Sequence, residues 1–312
     1  RIDELTNNPS MLFSQIYLNN FYGIEIDDFA HEIAKLSLWL AEHQMNMVFE
    51  KAFGRTMPAL PLKDAGKIVC ANACRIDWEQ VCPKQPEDEI YILGNPPYLG
   101  ARYQEPSHRD DIQFLLSNWN GCKSLDYITC WFYKGSHYIK QSQNKLAFVS
   151  TNSICQGEQM PIIWQQLFNL GIEIFFAHQS FKWTNNAKSN AGVTVIIIGL
   201  QAKNNDKKYL YLGGNLSKVD HINGYLTAGS NIFIKKSSNP ISKLPLITSA
   251  NRALDDGHLL LSPQEKDQII QAYPNAAQLI KPVLGAAEFL RGLKKYCLWI
   301  YDDNLDLALT IP

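Results

Sequence analysis

The sequence predicts an α/β protein whose sheet is mostly parallel and ends in an antiparallel pair of strands. Two observations lead to this fold class. In the first half of the chain, short apolar segments alternate with longer segments of helical periodicity, the pattern of βαβ units. Before residue 204, two apolar segments follow each other with only a polar loop between them, which favours an antiparallel pair.

The first predicted strand, at 21–26, is followed by a helix with an apolar stripe. Asp28 is placed to cap this helix. The stripe recurs at the spacing i, i+4, i+7 and i+11 and consists of Phe29, Ile33, Leu36 and Leu40. We therefore expect the helix to pack flat on the sheet.

The remaining elements of the first half are further strands and one helix rich in aromatic residues. The strand before Asn95 stops abruptly at Gly94-Asn95-Pro96-Pro97. The strands are predicted at 68–71, 89–93, 145–150, 172–177 and 192–200, and the helix at 126–141.

The pattern of the sequence changes after about residue 204. Short polar segments with Gly or Pro now separate weak strands from one clear helix at 262–273. Ser262 can cap that helix, with Glu265 completing a capping box. We place a domain boundary near residue 215, which divides residues 1–215 from residues 216–312.

Composition excludes several classes of protein. With 29 basic and 30 acidic side chains, the chain cannot coat nucleic acid through bulk positive charge, so any basic surface must be local. No apolar segment reaches the roughly 18 residues that a membrane span needs. The seven cysteines form no CxxC pair and the histidines have no metal-binding spacing, so we expect reduced cysteines in a cytoplasmic protein and no metal site.

Asn95-Pro96-Pro97-Tyr98 carries the clearest chemical signal. The exocyclic amino group of adenine is a poor nucleophile because the ring delocalises its lone pair. The Asn95 side-chain oxygen and the Pro96 carbonyl can accept both amino hydrogens, while the two prolines hold these acceptors rigid. Tyr98 offers a flat face for a base extruded from a duplex. The alternative is a rigid turn without chemistry.

Two polar residues at other strand ends fit a cofactor site. Glu25 is placed to hold the two hydroxyls of a ribose, although it could equally be an exposed strand-end carboxylate or take part in helix capping. Asn72 could contact the adenine amino edge of a cofactor or be a plain turn residue.

In this order, an acidic strand end, a small polar strand end and Asn-Pro-Pro-Tyr, the chain resembles the N6-adenine DNA methyltransferases of the γ arrangement. It is most similar to one branch, the MmeI-like fused restriction–modification enzymes. The stretches that carry the resemblance lie at 22–45, 92–104, 146–159, 176–200, 255–266 and 284–303.

The resemblance implies a Rossmann-like sheet that binds S-adenosylmethionine and methylates a flipped adenine in double-stranded DNA. Glu25 would bind the cofactor ribose and Ile26 would pack on the cofactor adenine. Asn72 and Ala73 would contact the adenine edge, although many relatives have Asp at the position of Asn72. The methyl acceptor would be held by Asn95, Pro96, Pro97 and Tyr98.

The same resemblance assigns a second aromatic residue and basic groups to the target. Phe181, expected in the loop between the last two strands of the catalytic domain, would close on the flipped base; a core position is its alternative. Lys182 and Lys188 lie in a polar, basic segment that would face DNA phosphate or simply be solvated.

The family's Gly-rich first motif should precede Glu25, yet residues 1–20 contain no glycine. We therefore expect an N-terminally truncated catalytic domain at 1–215, followed at 216–312 by a spacer and the start of a target-recognition domain. Such a chain would be inactive alone, with a fused nuclease expected elsewhere in the bacterial protein. Two alternatives stay open: an amino-group methyltransferase for RNA guanine or protein glutamine, and a non-catalytic DNA specificity subunit.

Overall fold

The computed structural model describes residues 17–54, 66–183, 194–235, 237, 242 and 257–311. The chain divides into two compact units, Arg1–Lys236 and Ser237–Pro312. The elements of the first unit are β1 Tyr22–Glu25, α1 Asp28–Phe53, β2 Lys67–Cys70, α2 Trp78–Val81, β3 Tyr91–Gly94, α3 Pro106–Leu116, α4 Thr129–Ile139, β4 Lys145–Ser150, α5 Gln159–Asn169, β5 Ile172–Lys182, β6 Thr194–Ala202, β7 Lys208–Leu212 and β8 Asn215–Val219.

The first unit contains a six-stranded sheet in the order β3-β4-β6-β5-β7-β8 and a parallel pair, β1-β2. In the larger sheet β3, β4, β5 and β7 run in one direction, while β6 and β8 run in the other. The predicted α/β class is confirmed, and so is the antiparallel pairing of β5 with β6. Because β3, β4 and β5 share a direction, their carboxyl ends lie at one edge of the sheet.

One outer strand of the larger sheet is β3. Within the described residues it pairs with β4 alone, so its other edge has no partner there. The side chains of Tyr91 and Leu93 are 58% and 78% exposed. This strand therefore combines an open backbone edge with exposed apolar side chains.

Helix α4 forms the centre of the core and lies against β4. Its Phe132 is fully buried and meets Phe148 of β4 edge to face, with ring centroids 5.4 Å apart. Gly135 allows the close approach of the two elements, because a Cβ there would lie 2.6 Å from Leu146 Cδ2. The aromatic residues of the predicted helix thus form a packed core.

Two predictions about α1 are wrong. The N-cap is Asp27, whose side chain accepts a hydrogen bond from the Ala30 amide, and Asp28 is already helical. The apolar stripe does not face the sheet, since Phe29 is 76% exposed and the other stripe residues are exposed as well. The helix turns a different face to the two-stranded sheet: His31 is buried and its Nε2 lies 3.1 Å from the Ile68 carbonyl.

A tight hairpin joins β7 and β8. Gly213 and Gly214 both have positive φ, 54° and 85°, and so form a turn of the kind that suits two-residue hairpins. The boundary predicted near residue 215 falls at this hairpin, and β8 continues the sheet of the first unit.

The second unit contains a small antiparallel sheet, β10-β11-β9. Ser262 and Glu265 form the predicted capping box at the start of α6. Among the described residues, no helix is both long and apolar enough to cross a membrane. The elements are β9 Leu260–Leu261, α6 Pro263–Ala272, β10 Ile280–Val283, α7 Ala286–Arg291, β11 Lys295–Leu298 and α8 Leu305–Leu309.

Candidate active site

The Asn-Pro-Pro-Tyr segment leaves the sheet at the carboxyl end of β3. Asn95 directly follows the last residue of the strand and its side chain is exposed. Pro96 is buried, and the half-buried Tyr98 packs against the hydrophobic core. Within the described part of the chain, the Asn95 side chain makes no hydrogen bond. Its amide group is therefore free to bind a ligand.

Buried hydrogen bonds hold the end of this segment. The amide of Leu99 donates to Asp126 Oδ1 over 2.7 Å. The Leu99 carbonyl accepts from Gln104 Nε2 at 2.9 Å and from the Tyr127 amide at 3.1 Å. Asp126, Gln104 and Tyr127 are all buried. The backbone immediately after Tyr98 is thus fixed on both its donor and its acceptor side.

Glu25 occupies the turn between β1 and α1. One carboxylate oxygen, Oε1, accepts hydrogen bonds from the amides of Ile26 at 2.8 Å and Asp27 at 3.1 Å. In the described residues the second oxygen has no hydrogen-bond partner, so it can accept from a ligand. Ile26 beside it presents an apolar side chain that is 67% exposed. The turn therefore offers one carboxylate oxygen and one apolar surface.

Asn72 lies in the turn after β2, next to the turn that carries Glu25. The Glu25 carbonyl accepts from the Ala71 amide at 2.8 Å, which ties the two turns together. Asn72 Nδ2 donates to Asp111 Oδ2 at 2.9 Å, and Asn72 Oδ1 accepts from the Cys74 amide at 2.8 Å. The neighbouring Ala73 carbonyl accepts from Trp78 Nε1. Asn72 retains one N–H and one lone pair for any ligand.

Asp111 of α3 joins this turn to the core. Its carboxylate is 4% exposed and accepts hydrogen bonds from Asn72, Tyr127 and Arg75. Burial alone raises the pKa of a carboxyl group, but these three donors outweigh it and hold the pKa of Asp111 below its ordinary value. Burial, together with the hydrogen bond to Asp111, raises the pKa of Tyr127. Tyr127 remains a neutral donor and Asp111 a charged acceptor.

Phe181 lies within β5, near its end, and not in a loop as the sequence suggests, because β5 extends to Lys182 and pairs there with β6. Its half-buried ring is 4.8 Å from that of His178 and 6.4 Å from that of Trp183. Ser180, one residue earlier, is hydrogen-bonded to Asn152 after β4. The sheet brings the ends of β3 and β5 to one edge, although the described residues show no ring contact between Phe181 and Tyr98.

Of the two lysines assigned to the target, the structure describes only Lys182. Lys182 is exposed at the end of β5 and paired in register with Thr194. Lys188 lies outside the described residues. Lys182 therefore offers a positive charge at the same sheet edge as Asn95.

Sequence reasoning missed Asp126 and Asp111. The sequence places Asp126 at the start of the aromatic helix. In the structure its carboxylate accepts a hydrogen bond from the amide of Leu99, 27 residues earlier. Asp111 belongs to no element predicted from the sequence; it lies in α3 and is buried. A local signal existed only for Asp126, as an acidic residue before a helix. Its distant partner could not be read from spacing.

Two family models match the chain. The model described as MmeI, DNA-methyltransferase domain, covers residues 2–212. The model described as MmeI, target recognition domain, covers residues 228–312. Together they span nearly the whole sequence in the order in which the two domains are predicted.

Two individual proteins are also similar. DNA methyltransferase A of Bacillus subtilis (strain 168) is 46% identical over 301 residues, which is 95% of this chain and 34% of the relative. The solved structure of the Type IIL restriction-modification enzyme MmeI in complex with DNA has a TM-score of 0.87 and 38% identity, over 96% of this chain and 41% of that one. The chain thus spans about a third of the first protein and two fifths of the second.

Proposed function

Since the chain belongs to the MmeI family of DNA methyltransferases, we propose that it transfers a methyl group from S-adenosylmethionine to N6 of an adenine flipped out of double-stranded DNA. The observation that carries this proposal is the position of Asn95. Its unpaired amide lies at the end of β3, next to the buried Pro96 and before the half-buried Tyr98. This arrangement suits an amino group on a flat ring.

The proposed chemistry needs acceptors and a stacking surface. The Asn95 side-chain oxygen and the Pro96 carbonyl accept the two amino hydrogens of adenine, which returns the lone pair to the nitrogen for attack. Tyr98 stacks on the base and holds it in line. The methylated nitrogen is acidic and loses its proton without a strong base, so the mechanism requires no buried acid–base pair.

The residues at the ends of β1 and β2 fit the adenosine part of the methyl donor. Glu25 has one carboxylate oxygen left for ribose hydroxyls, and Ile26 has an exposed apolar side chain to pack on adenine. Asn72 and Ala73 border the adenine edge, where Asn72 has one N–H left. When bound, this cofactor supplies an electrophilic sulfonium methyl group. Because residues 1–20 contain no glycine-rich turn, we expect residues 1–312 alone to bind it weakly and to be inactive.

The target side of the proposal rests on Phe181, Lys182 and Lys188. Phe181 closes on the flipped base from the end of β5, and the two lysines contact DNA phosphate. The segment that matches the target recognition domain, 228–312, reads the sequence around the adenine. In the whole bacterial protein, which we place in the cytoplasm, this activity serves restriction and modification, with a nuclease fused to the same polypeptide.

The test is a nucleoside analysis. The complete reading frame is expressed in a host that lacks adenine methyltransferases, and its DNA is digested and assayed by mass spectrometry for N6-methyladenine. The wild-type protein should produce the modified nucleoside, and Asn95→Ala should abolish it while DNA binding and folding persist.

Three results would count against the proposal. Methylation that survives Asn95→Ala would show that this segment is not catalytic. Absence of N6-methyladenine in wild-type DNA, with methylated guanine in RNA or methylated glutamine in protein, would move the chain to that other class of enzyme. No methylation of any kind would favour a specificity subunit.

A further inference from the structure

We propose that Asp126 is a positioning residue that holds the target-base segment in its working conformation. This rests on the proposed function, because it assigns Asp126 a role toward Tyr98 and the base that Tyr98 stacks on. Asp126 does not touch the base. It acts through Leu99, the residue that follows Tyr98.

The carboxylate of Asp126 is held from both sides. It is 3% exposed, and Oδ1 accepts from the Leu99 amide at 2.7 Å and more weakly from the Ile128 amide at 3.3 Å. Oδ2 accepts from Ser153 Oγ at 3.2 Å, while the Asp126 amide donates to Gln159 Oε1 at 2.7 Å. A buried carboxylate with this many partners is held in one orientation. If it rotated, at least one buried donor would lose its acceptor and no water could replace it.

Holding Leu99 fixes the direction in which the segment leaves β3. The proline pair restricts the chain before Tyr98. After Tyr98, the Leu99 amide is bound by Asp126 and the Leu99 carbonyl by Gln104 and the Tyr127 amide. Tyr98 therefore lies between two rigid stretches of chain. Without Asp126, the Leu99 amide on the carboxyl side of Tyr98 loses the only side-chain acceptor that it has among the described residues.

The next residue, Tyr127, continues the network toward the cofactor side. Its hydroxyl donates to Asp111 Oδ2 at 2.7 Å, and Asp111 also accepts from Asn72. Asp126 binds the segment proposed to hold the base, and Asp111 binds Asn72, which is proposed to contact the cofactor. We therefore expect substitutions of the two aspartates to have different kinetic effects. Removal of Asp126 should change turnover and leave cofactor affinity intact.

Asn144, directly before β4, provides a control that acts at the beginning of β3. It is 1% exposed, and its Oδ1 accepts from the amide of Ile90, directly before β3, at 2.9 Å. Asn144→Ala removes a buried side-chain acceptor of one backbone amide, whereas Asp126→Ala removes the acceptor of two backbone amides and one hydroxyl. The Ile90 amide lies directly before β3 and Tyr98 lies beyond its end, so a loss of kcat that came only from reduced stability should appear in both variants.

The experiment compares Asp126→Ala, Asp126→Asn and Asn144→Ala in the protein expressed from its complete reading frame. Transfer of labelled methyl groups from S-adenosylmethionine to unmethylated plasmid DNA gives kcat, and calorimetry gives the cofactor Kd. Deuterium exchange of the peptide at 95–104 reports directly on the segment.

Asp126→Ala should lower kcat about 100-fold, since misplacing a reacting group by about 1 Å has this effect, with the cofactor Kd unchanged within twofold. Asp126→Asn keeps an oxygen acceptor for Leu99 and should recover most of the turnover. Exchange at 95–104 should accelerate in Asp126→Ala. In Asn144→Ala both kcat and this exchange should stay at wild-type levels, while thermal stability falls.

A wild-type kcat in Asp126→Ala, or a parallel loss of kcat and cofactor affinity, would overturn the proposal. So would equal kcat losses in the Asp126→Ala and Asn144→Ala variants. If Asp126→Ala does not fold, Asp126→Asn decides: faster exchange confined to 95–104 supports the role, and unchanged exchange refutes it. If the wild-type protein methylates no adenine, the proposed function fails, and the exchange comparison still decides whether Asp126 holds the segment.

Discussion

Replacement of Tyr127 by Phe should destabilise the first unit mainly through the lost hydrogen bond to Asp111, since the other bond of the hydroxyl, accepted from Cys74 Sγ at 3.8 Å, is long and weak. The Tyr127 ring is 6% exposed and its hydroxyl donates to the charged Asp111 at 2.7 Å. A hydrogen bond to a charged group contributes about 1.5–3 kcal/mol. Asp111 keeps Asn72 and Arg75 as donors, so the expected loss in free energy of unfolding is about 2 kcal/mol.

The loss should depend on pH. Because the folded-state pKa of Asp111 is lowered, the stability it contributes is present above the unfolded pKa of about 3.9 and is lost as the pH falls through the folded pKa. The difference between wild type and Tyr127→Phe should therefore be largest near neutral pH and shrink in acid.

Urea unfolding measures this difference, followed by the fluorescence of tryptophans such as Trp131, whose ring lies 5.1 Å from that of Tyr127. Tyr133→Phe is the matched control, since the Tyr133 hydroxyl has no hydrogen bond within the described residues. If the two variants differ by less than about 0.5 kcal/mol at neutral pH, below the usual worth of a hydrogen bond, the reasoning about Asp111 is wrong.

Two further substitutions test the core of the first unit. Gly135→Ala places a Cβ 2.6 Å from Leu146 Cδ2 and should cost about 1–3 kcal/mol in urea unfolding, while Gly100→Ala, with no atom within 4 Å, should be near neutral. Lys208→Met leaves Glu173 charged in the interior, where the two side chains are 1% and 5% exposed and 2.6 Å apart. It should cost about 3–5 kcal/mol, and adding Glu173→Leu should recover part of that; no recovery would mean that the charge is not the cause.

The strands from β1 to β6 and the helices α1, α4 and α6 could be predicted because each carries its own periodicity, whereas α3 and α5 were not predicted. β4 begins and ends where the sequence places it, at Lys145 and Ser150. β5 is longer than predicted, since its last residues are polar and aromatic and are ordered by pairing with β6 rather than by burial. For this reason the sequence predicts a loop at Phe181, where the structure has the end of β5.

The two errors at α1 have different physical origins. Asp27 and Asp28 are chemically identical candidates for a cap, and only the extended backbone of Asp27, with φ −87° and ψ 125°, makes it the N-cap. The apolar stripe that begins at Phe29 has the correct helical period, but periodicity does not say which face a sheet covers. The two-stranded sheet covers the face that includes His31.

In the candidate site, the sequence predicts residues that follow strands and misses those that act from a distance. Asn95 and Glu25 can be found because strand ends and motif chemistry are local. Asp126 and Asp111 bind Leu99 and Asn72 across 27 and 39 positions of the chain. Such partners are set by the packing of α3 and α4 and cannot be inferred from spacing.

Within the part of the chain that the structure describes, one edge of β3 pairs with no strand, and this has a consequence for solubility. A strand with unpaired backbone groups and exposed apolar side chains is a template on which another polypeptide can add a strand. Tyr91 and Leu93 give this edge the composition of an aggregation site, with Lys145 of the neighbouring strand as its nearest register-matched charge. Self-association of the 312 residues at high concentration would therefore start along this edge of β3, in the strand that leads to Asn95.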